Sequence, residues 1–188
     1  MIRSTFWLAR ALLAGLALTV GTMAGAFDLK DTDGHAQRLA DLKGKWVVVN
    51  FWATWCAPCV KEIPDIAAFA KEQGDKVRVI GVALDWDETG KRAVDEPKVK
   101  SFARKVGITY PLVLGDDASE KTFGRVKGMP TTFVYDPSGK LVLQKTGSVT
   151  KDMLTKVVAG EKISYSEHSP PKISYPAYSG QPTQVERD

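Results

Sequence analysis

Cysteine and histidine are scarce in this chain, which has two of each among its 188 residues. A structural zinc site needs four ligands of these types, and His35 and His168 lie far in sequence from the only cysteines, Cys56 and Cys59. One Cys-x-x-Cys pair could still supply half of a zinc site. We predict no metal site and no cofactor, so any chemistry falls to the two neighbouring thiols.

A strong excess of one charge is also lacking. The formal net charge is +4, and it falls to +2 without Arg3 and Arg10 of the N-terminal segment. Such a mild balance does not predict binding to nucleic acid. The remaining length suits one domain with a hydrophobic core.

The N-terminal segment has the pattern of a secretory signal peptide. Residues 1–10 are basic without an acid, residues 11–20 are apolar, and residues 24–26 form a small-x-small site. We expect cleavage after Ala26, which predicts a signal peptide over 1–26 and a bacterial periplasmic location. An uncleaved membrane anchor over residues 6–26 is the alternative. No cysteine lies near this site, which excludes a lipid anchor on a cysteine.

The two cysteines lie where a predicted strand runs into a predicted helix. Trp46–Trp52 is a nearly continuous run of apolar, β-branched and aromatic residues, typical of a strand buried on both faces. Ala57–Gln73 has apolar residues at helical spacing, and Gly74 ends the pattern. Cys56 therefore falls at about the N-cap and Cys59 at about the third helical residue, so their sulfurs can meet over the first turn.

A helix start favours a thiolate, because its N–H groups are unpaired and its dipole is positive there. By position we expect Cys56 to be the nucleophile and Cys59 the shielded resolving thiol. Pro58 has no N–H to lose in the first turn, and it stiffens the loop between the sulfurs. A purely structural disulfide remains an alternative, although so short a loop yields little entropic stabilisation.

Residues 51–59, Phe-Trp-Ala-Thr-Trp-Cys-Ala-Pro-Cys, resemble the active-site segment of the thioredoxin superfamily. Residues 128–133, Gly-Met-Pro-Thr-Thr-Phe, resemble the superfamily loop that carries a cis-proline opposite the cysteines. The general rarity of cis X-Pro bonds would favour trans, but the resemblance implies cis at Pro130. It also implies that Pro130 holds the partner's chain extended beside the sulfurs, with Met129 and Thr131 as neighbours. We place Trp55, Ala57 and Pro58 with them as substrate-binding residues.

Residues 56–64 are similar to the TlpA/ResA/CcmG-like branch, whose members have an acid three residues after the second cysteine. Glu62 fits that place, and helical spacing puts it over the same turn as Cys59. We predict that Glu62 has a raised pKa and accepts or relays the Cys59 proton; a solvated helix glutamate is the alternative. Asn50 departs from the aspartate of thioredoxins and cannot take a proton, which favours Glu62 for that role.

The predicted elements follow the order of an α/β thioredoxin fold, with a central mixed sheet flanked by helices and an N-terminal β-hairpin extension. We predict a hairpin within 27–39, strands at 77–84 and 110–114, and a hairpin across 131–145. We also predict a helix that starts at Pro97, a helical turn over 118–124, and a last helix capped by Thr150. Residues 85–96 are predicted to be a polar insertion carrying Trp86. The domain spans 27–160, and 161–188 is predicted to be a flexible tail that alternatively docks through its tyrosines.

The resemblance implies a thiol:disulfide oxidoreductase that reduces specific exported proteins. The implied partners are apocytochrome c, or copper-site proteins of cytochrome oxidase, with electrons from a membrane thiol transporter. We expect a monomer with a reducing potential, because neither Ala57 nor Pro58 can stabilise a thiolate as a histidine could. A copper(I)-binding chaperone using the same pair is the alternative, since thiolates suit that soft ion. Peroxide reduction ranks last, because it needs a peroxidatic cysteine in a different setting.

Overall fold

The computed structural model describes residues 27–85, 95–124 and 126–161, and these form seven strands and four α-helices. The expected signal peptide, Trp86 and most of the expected tail therefore lie outside the described residues. The strands are β1 (Asp28–Lys30), β2 (Ala36–Arg38), β3 (Trp46–Trp52), β4 (Val77–Ala83), β5 (Leu112–Leu114), β6 (Thr131–Tyr135) and β7 (Leu141–Thr146). The helices are α1 (Ala57–Gln73), α2 (Glu96–Val106), α3 (Asp117–Thr122) and α4 (Lys151–Val158).

Five strands form one mixed sheet in the order β5-β4-β3-β6-β7. Strands β3, β4 and β5 run parallel, whereas β6 and β7 are antiparallel to their neighbours. Strand β3 lies at the centre of this sheet, which explains why its sequence is apolar except at Asn50. The mixed sheet with flanking helices confirms the predicted fold class.

The predicted N-terminal hairpin is present as β1 and β2, which pair antiparallel. It attaches to the edge of the main sheet, where Asp31 forms a bridge with Val113 and the Thr32 N–H donates to the carbonyl of Leu112 at 2.8 Å. The Asp31 side chain is buried and accepts bonds from the Gln37 amide and the backbone N–H groups of Asp33 and His35. The hairpin therefore covers the β5 edge.

Side chains of β3 alternate between the two faces of the sheet, and both faces are buried. Val47, Val49 and Phe51 pack among the aromatic rings of Phe27 and Phe123. Val48 packs on the opposite face, against α1 and α4, with Ile66, Phe69, Leu154 and Val157. Asn50 and Trp52 share the face of Val48, because side chains two apart on a strand point the same way. This face meets the helix that carries the cysteines.

Several predicted boundaries shift by one or two residues. Strand β5 begins at Leu112 rather than Tyr110, and the carbonyl of Pro111 accepts a bond from the Gly81 N–H. Helix α2 begins at Glu96, one residue before Pro97, because Asp95 caps it by accepting from the Lys98 N–H. Helix α3 occupies Asp117–Thr122, after a capping box between Asp116 and Ser119.

The described helices do not include one of sufficient length and apolar character to cross a membrane.

Candidate active site

The two cysteines form a disulfide at the start of α1, with an S–S distance of 2.04 Å and a Cα–Cα distance of 5.3 Å. Cys56 is the N-cap residue, and its sulfur accepts a hydrogen bond from the Cys59 N–H at 3.3 Å. Cys59 is the third helical residue, so both predicted positions are confirmed. Each sulfur is thus held in the first turn, beside the unpaired N–H groups of the helix.

The two sulfurs are unequally shielded. Cys56 retains 5% of its accessible surface and Cys59 retains none. The predicted substrate-binding residues beside them are exposed, with Ala57 and Pro58 on the surface and Trp55 at 44% exposure. A partner can therefore approach Cys56 from the side of Trp55, whereas Cys59 is enclosed by the core.

The loop that leads into Cys56 is fixed by a buried carboxylate. Asp85, at 7% exposure, accepts a bond from the Thr54 hydroxyl at 2.6 Å and faces the Thr54 backbone N–H at 3.2 Å. The sequence predicted Asp85 as the first residue of a polar insertion, most of which lies outside the described residues, and the burial of this carboxyl was not anticipated. The sequence signal at Asp85 is a polar residue directly after a buried parallel strand, and this signal alone does not distinguish a solvent-facing side chain from one that holds a neighbouring loop.

The Met129–Pro130 peptide bond is cis, as the resemblance implied. Strand β6 begins at Thr131, which pairs with Phe51, so the proline lies at the sheet end where β3 leads to the cysteines. Met129 is buried in the same cluster as both cysteines. The Thr131 side chain also points inward, at 1% exposure, and its hydroxyl donates to the carbonyl of Gly128 at 2.7 Å.

Glu62 is a buried acid, with only 3% of its surface exposed. Its Oε1 accepts a bond from the Asn50 side-chain amide at 2.7 Å, and its Oε2 accepts from the Val149 backbone N–H at 2.7 Å. Burial raises the pKa of the Glu62 carboxyl to about 7, against the lowering effects of the Val149 N–H, the Asn50 amide and the Lys145 charge. The alternative of a solvated helix glutamate is therefore wrong, and the predicted raised pKa is confirmed in direction.

Asn50 connects Glu62 to the strand that follows the cis-proline. Its side chain is fully buried, and its Nδ2 donates to the Thr132 hydroxyl oxygen at 3.1 Å as well as to Glu62. The segment 147–149 makes a second connection between Glu62 and the proline loop. The Val149 N–H donates to Glu62, and the Gly147 N–H donates to the carbonyl of Pro130 at 2.8 Å. The acid beside the cysteines and the cis-proline loop thus share hydrogen-bonded neighbours.

Sequence reasoning did not anticipate Thr132 or Val149 as partners of this network. Thr132 had a signal, because a second threonine after the proline is unusual inside a fully buried strand. Val149 donates to Glu62 through its backbone N–H, so the identity of its side chain gives no sequence signal for this bond. Within the described ranges, no group of three or more His, Cys, Asp or Glu side chains is placed to hold a metal ion.

A family model described as the AhpC/TSA family matches residues 20–144. The chain is 37% identical over 141 residues to thiol-disulfide oxidoreductase ResA of Bacillus subtilis, covering 73% of each protein. It is 36% identical over 141 residues to the protein of the same name from Geobacillus kaustophilus, covering 72% of this chain and 74% of that protein. Among solved structures, a thiol:disulfide interchange protein from Chlorobium tepidum is similar, with a TM-score of 0.62 and 31% identity over 73% of this chain and 93% of that one.

The matched residues include the cysteine pair, Glu62 and the cis-proline loop, which carry the geometry described above. The relatives and the fold agree on one reaction class, the exchange of disulfides with thiols. The chain belongs to the AhpC/TSA family and is a thiol-disulfide oxidoreductase with a thioredoxin fold.

Proposed function

We propose that this protein, in its reduced form, reduces disulfides in selected exported proteins. The observation that carries the proposal is the unequal pair at the start of α1, with Cys56 at the surface rim and Cys59 fully enclosed. A thiol pair of this kind gives one sulfur access to a partner and reserves the other for release of the product.

The reaction balances in two steps. The Cys56 thiolate attacks one sulfur of the partner's disulfide, and the partner's other sulfur leaves as a thiolate that takes up a proton. The Cys59 thiolate then attacks the Cys56 sulfur of the mixed disulfide, and the second partner sulfur leaves as a thiolate and is protonated. The partner gains two electrons and two protons, and the Cys56–Cys59 disulfide is formed.

Glu62 is the group we assign to the Cys59 proton. It follows Cys59 by three residues on α1, so the two side chains lie over the same turn. A carboxyl with a pKa of about 7 exists in both protonation states near neutral pH, as a general acid and base must. Asn50 lies close by but is an amide, so it cannot take this proton.

The partner's chain is proposed to lie between the exposed residues Trp55, Ala57 and Pro58 and the loop at Pro130. Trp55 offers a large exposed ring beside the sulfurs. Met129 and Thr131 bury their side chains, so their part in this contact would come from the backbone.

For location, we retain the sequence-based proposal of a mature domain over 27–160 that acts as a monomer in the bacterial periplasm after cleavage of residues 1–26. An uncleaved N-terminal anchor remains the alternative. The proposed partners are apocytochrome c, through its haem-site cysteines, and copper-site proteins of cytochrome oxidase. A dedicated reductant in that compartment needs resupply, which we assign to a membrane thiol transporter.

Substrate trapping tests this function. The Cys59→Ser variant keeps the attacking thiol and lacks the resolving one, so expression in the native cell should accumulate mixed disulfides through Cys56. The matched control is the Cys56→Ser, Cys59→Ser double variant, which should trap nothing. Identified partners that carry haem-site or copper-site cysteines support the proposal, whereas no excess over the control overturns it. Tight stoichiometric copper(I) binding by the reduced wild type, lost in Cys56→Ser, would instead favour the chaperone.

A further inference from the structure

Three buried side-chain polar atoms have no hydrogen-bond partner among the described residues. They are Asn50 Oδ1, Trp52 Nε1 and the Tyr110 hydroxyl. Buried polar atoms are nearly always paired, because an unpaired one has lost its hydrogen bonds to water without gaining others. Three such atoms therefore need an explanation.

All three residues border Gly81. Asn50 and Trp52 are two residues apart on β3 and so share one face of the sheet, and Gly81 on β4 pairs directly with Asn50. A Cβ atom at position 81 would lie 2.9 Å from Cε2 of Tyr110 and 3.3 Å from Nε1 of Trp52. The missing side chain thus lets the phenol ring and the indole nitrogen reach the strand beside Asn50.

The three atoms are also complementary. Asn50 Oδ1 only accepts hydrogen bonds, Trp52 Nε1 only donates, and the Tyr110 hydroxyl does either. One water molecule can accept from the indole N–H and the phenol O–H while it donates to the amide oxygen. A buried water usually makes about three hydrogen bonds to polar groups that would otherwise be unsatisfied.

We propose that Asn50 Oδ1, Trp52 Nε1 and the Tyr110 hydroxyl form a binding site for a buried water molecule, and that this water fixes the orientation of the Asn50 amide. A water that donates to Oδ1 holds that oxygen toward Gly81. The amide nitrogen is then held toward Glu62 and Thr132, where it makes both of its bonds. Asn50 is therefore a positioning residue, and the water is part of what positions it.

This orientation matters for the acid assigned to the Cys59 proton, and in that respect the inference rests on the proposed function. An amide nitrogen that donates to Glu62 stabilises the carboxylate, whereas an amide oxygen in its place would repel it. The charged and titratable groups that act on Glu62 from the surrounding elements are Asp65 on α1 and Lys145 on β7, together with Tyr110 before β5. Asp65 and Lys145 stay in place when the water site alone is changed, and Tyr110 is itself part of that site.

The direct test is a high-resolution crystal structure of the oxidised wild-type protein. We expect an ordered water within hydrogen-bond distance of Trp52 Nε1, the Tyr110 hydroxyl and Asn50 Oδ1. Well-ordered side chains with no water density between them would overturn the site. So would a structure in which these atoms pair with protein groups instead.

The positioning role is tested by Tyr110→Phe, which removes one hydroxyl and keeps the ring. The proton affinity of Glu62, followed by the ¹³C shift of its carboxyl carbon against pH, should rise about threefold, as expected when one charge-assisted bond to the carboxylate weakens. In an Asn50→Leu background the same change should have no effect, because the water would act through Asn50. Tyr135→Phe is the matched control, since it removes a tyrosine hydroxyl in the opposite cluster and should leave Glu62 unchanged.

An unchanged Glu62 titration in Tyr110→Phe would overturn the positioning role. An equal shift in the Asn50→Leu background would do so as well, because the effect would then bypass the amide. If Tyr110→Phe does not fold, Trp52→Phe removes a different partner of the same water and carries the same expectations. Both readouts are made without substrate, so failure of the disulfide reductase function would leave them unaffected.

Discussion

Asn50 on β3 donates a 2.7 Å hydrogen bond to the buried carboxyl of Glu62 on α1. This contact joins the central strand of the sheet to the helix that carries both cysteines. It places a neutral amide against an acid whose pKa is raised by burial to about 7. Of the two side chains in this contact, only the acid titrates, because an amide cannot take a proton.

Glu62→Gln should slow the resolving step without changing the first attack by Cys56. The glutamine cannot take a proton, and loss of general acid–base catalysis costs at least about 10²-fold. Rapid-quench analysis of a mixed disulfide at pH 6 to 8 measures this step. The wild-type rate should titrate near pH 7, and the variant should lack that transition. Glu72→Gln, at an exposed position of the same helix, is the control. Equal rates for the wild type and Glu62→Gln would remove Glu62 from the mechanism.

Glu62 should also make the folded protein less stable as the pH rises from about 4.5 to 7. Its pKa is higher in the folded state than the usual 4.5, so the folded state keeps the proton over this window while the unfolded state loses it. The free energy of unfolding then falls with pH, by about 3 kcal/mol in total. Urea unfolding of the wild type and Glu62→Gln at several pH values isolates the effect, because glutamine does not titrate. Parallel pH profiles for the two proteins would contradict the prediction.

The buried Asp31, the half-buried Asp136 and the exposed Asp116 should act in the opposite direction. Burial raises the pKa of Asp31, but hydrogen bonds from His35, Gln37 and Asp33 together outweigh it. Hydrogen bonds from neighbouring groups likewise hold the pKa of Asp116 and Asp136 below the usual value. Their contribution is present above the usual pKa of about 4 and is lost as the pH falls through the folded values. The effect of Glu62 is therefore the difference in the pH dependence of unfolding free energy between the wild type and Glu62→Gln.

Asp85→Ala should destabilise the turn before Cys56 by about 1–3 kcal/mol, because the Thr54 N–H and hydroxyl lose their shared acceptor. Thermal unfolding of Asp85→Ala, Thr54→Val and the double variant measures the coupling between the two side chains. We expect the double variant to be less destabilised than the sum of the single variants. Strict additivity would show that this contact contributes no pairwise stability.

Gly81→Ala should destabilise the fold by about 1–3 kcal/mol through overpacking. The added Cβ would lie 2.9 Å from the Tyr110 ring, well inside ordinary contact distance. Gly128→Ala is the matched control, because its nearest neighbour is the Thr146 methyl at 3.3 Å. Chemical denaturation should show a smaller loss for the control. A neutral Gly81→Ala would mean that the Tyr110 ring moves freely, and it would weaken the proposed water site.

The reduction potential should be nearer to that of thioredoxin, about −270 mV, than to the strong oxidant DsbA, about −120 mV. Ala57 and Pro58 offer no cation to stabilise the Cys56 thiolate, which leaves the helix start as its main support. Equilibration with glutathione measures the potential. Pro58→His should make the couple more oxidising, and about 30 mV corresponds to a tenfold change in the equilibrium constant. A wild-type couple as oxidising as DsbA would contradict the proposed role as a reductant.

The sequence was informative wherever the signal was local. The caps and glycines that end α1 and α2, the 131–146 hairpin and the positions of Cys56 and Cys59 follow from residues within a few positions of each other. The buried Glu62 was identified from its helical spacing to Cys59 and a family resemblance. The contact of Asp85 with Thr54 was not anticipated, because a polar residue after a strand has the same pattern whether it faces solvent or holds a neighbouring loop.

By itself, then, the sequence determined which two sulfurs meet and on which helix turn, because a Cys-x-x-Cys spacing at a helix start is fixed by backbone geometry. Only the tertiary structure decided what surrounds them. The hydrogen bonds around Glu62 join residues that are 12 to 87 positions apart in the sequence. Asn50 and the Val149 N–H donate to Glu62, and Asn50 also donates to Thr132. Such contacts depend on strand order, register and packing, and these arise from burial of the whole chain.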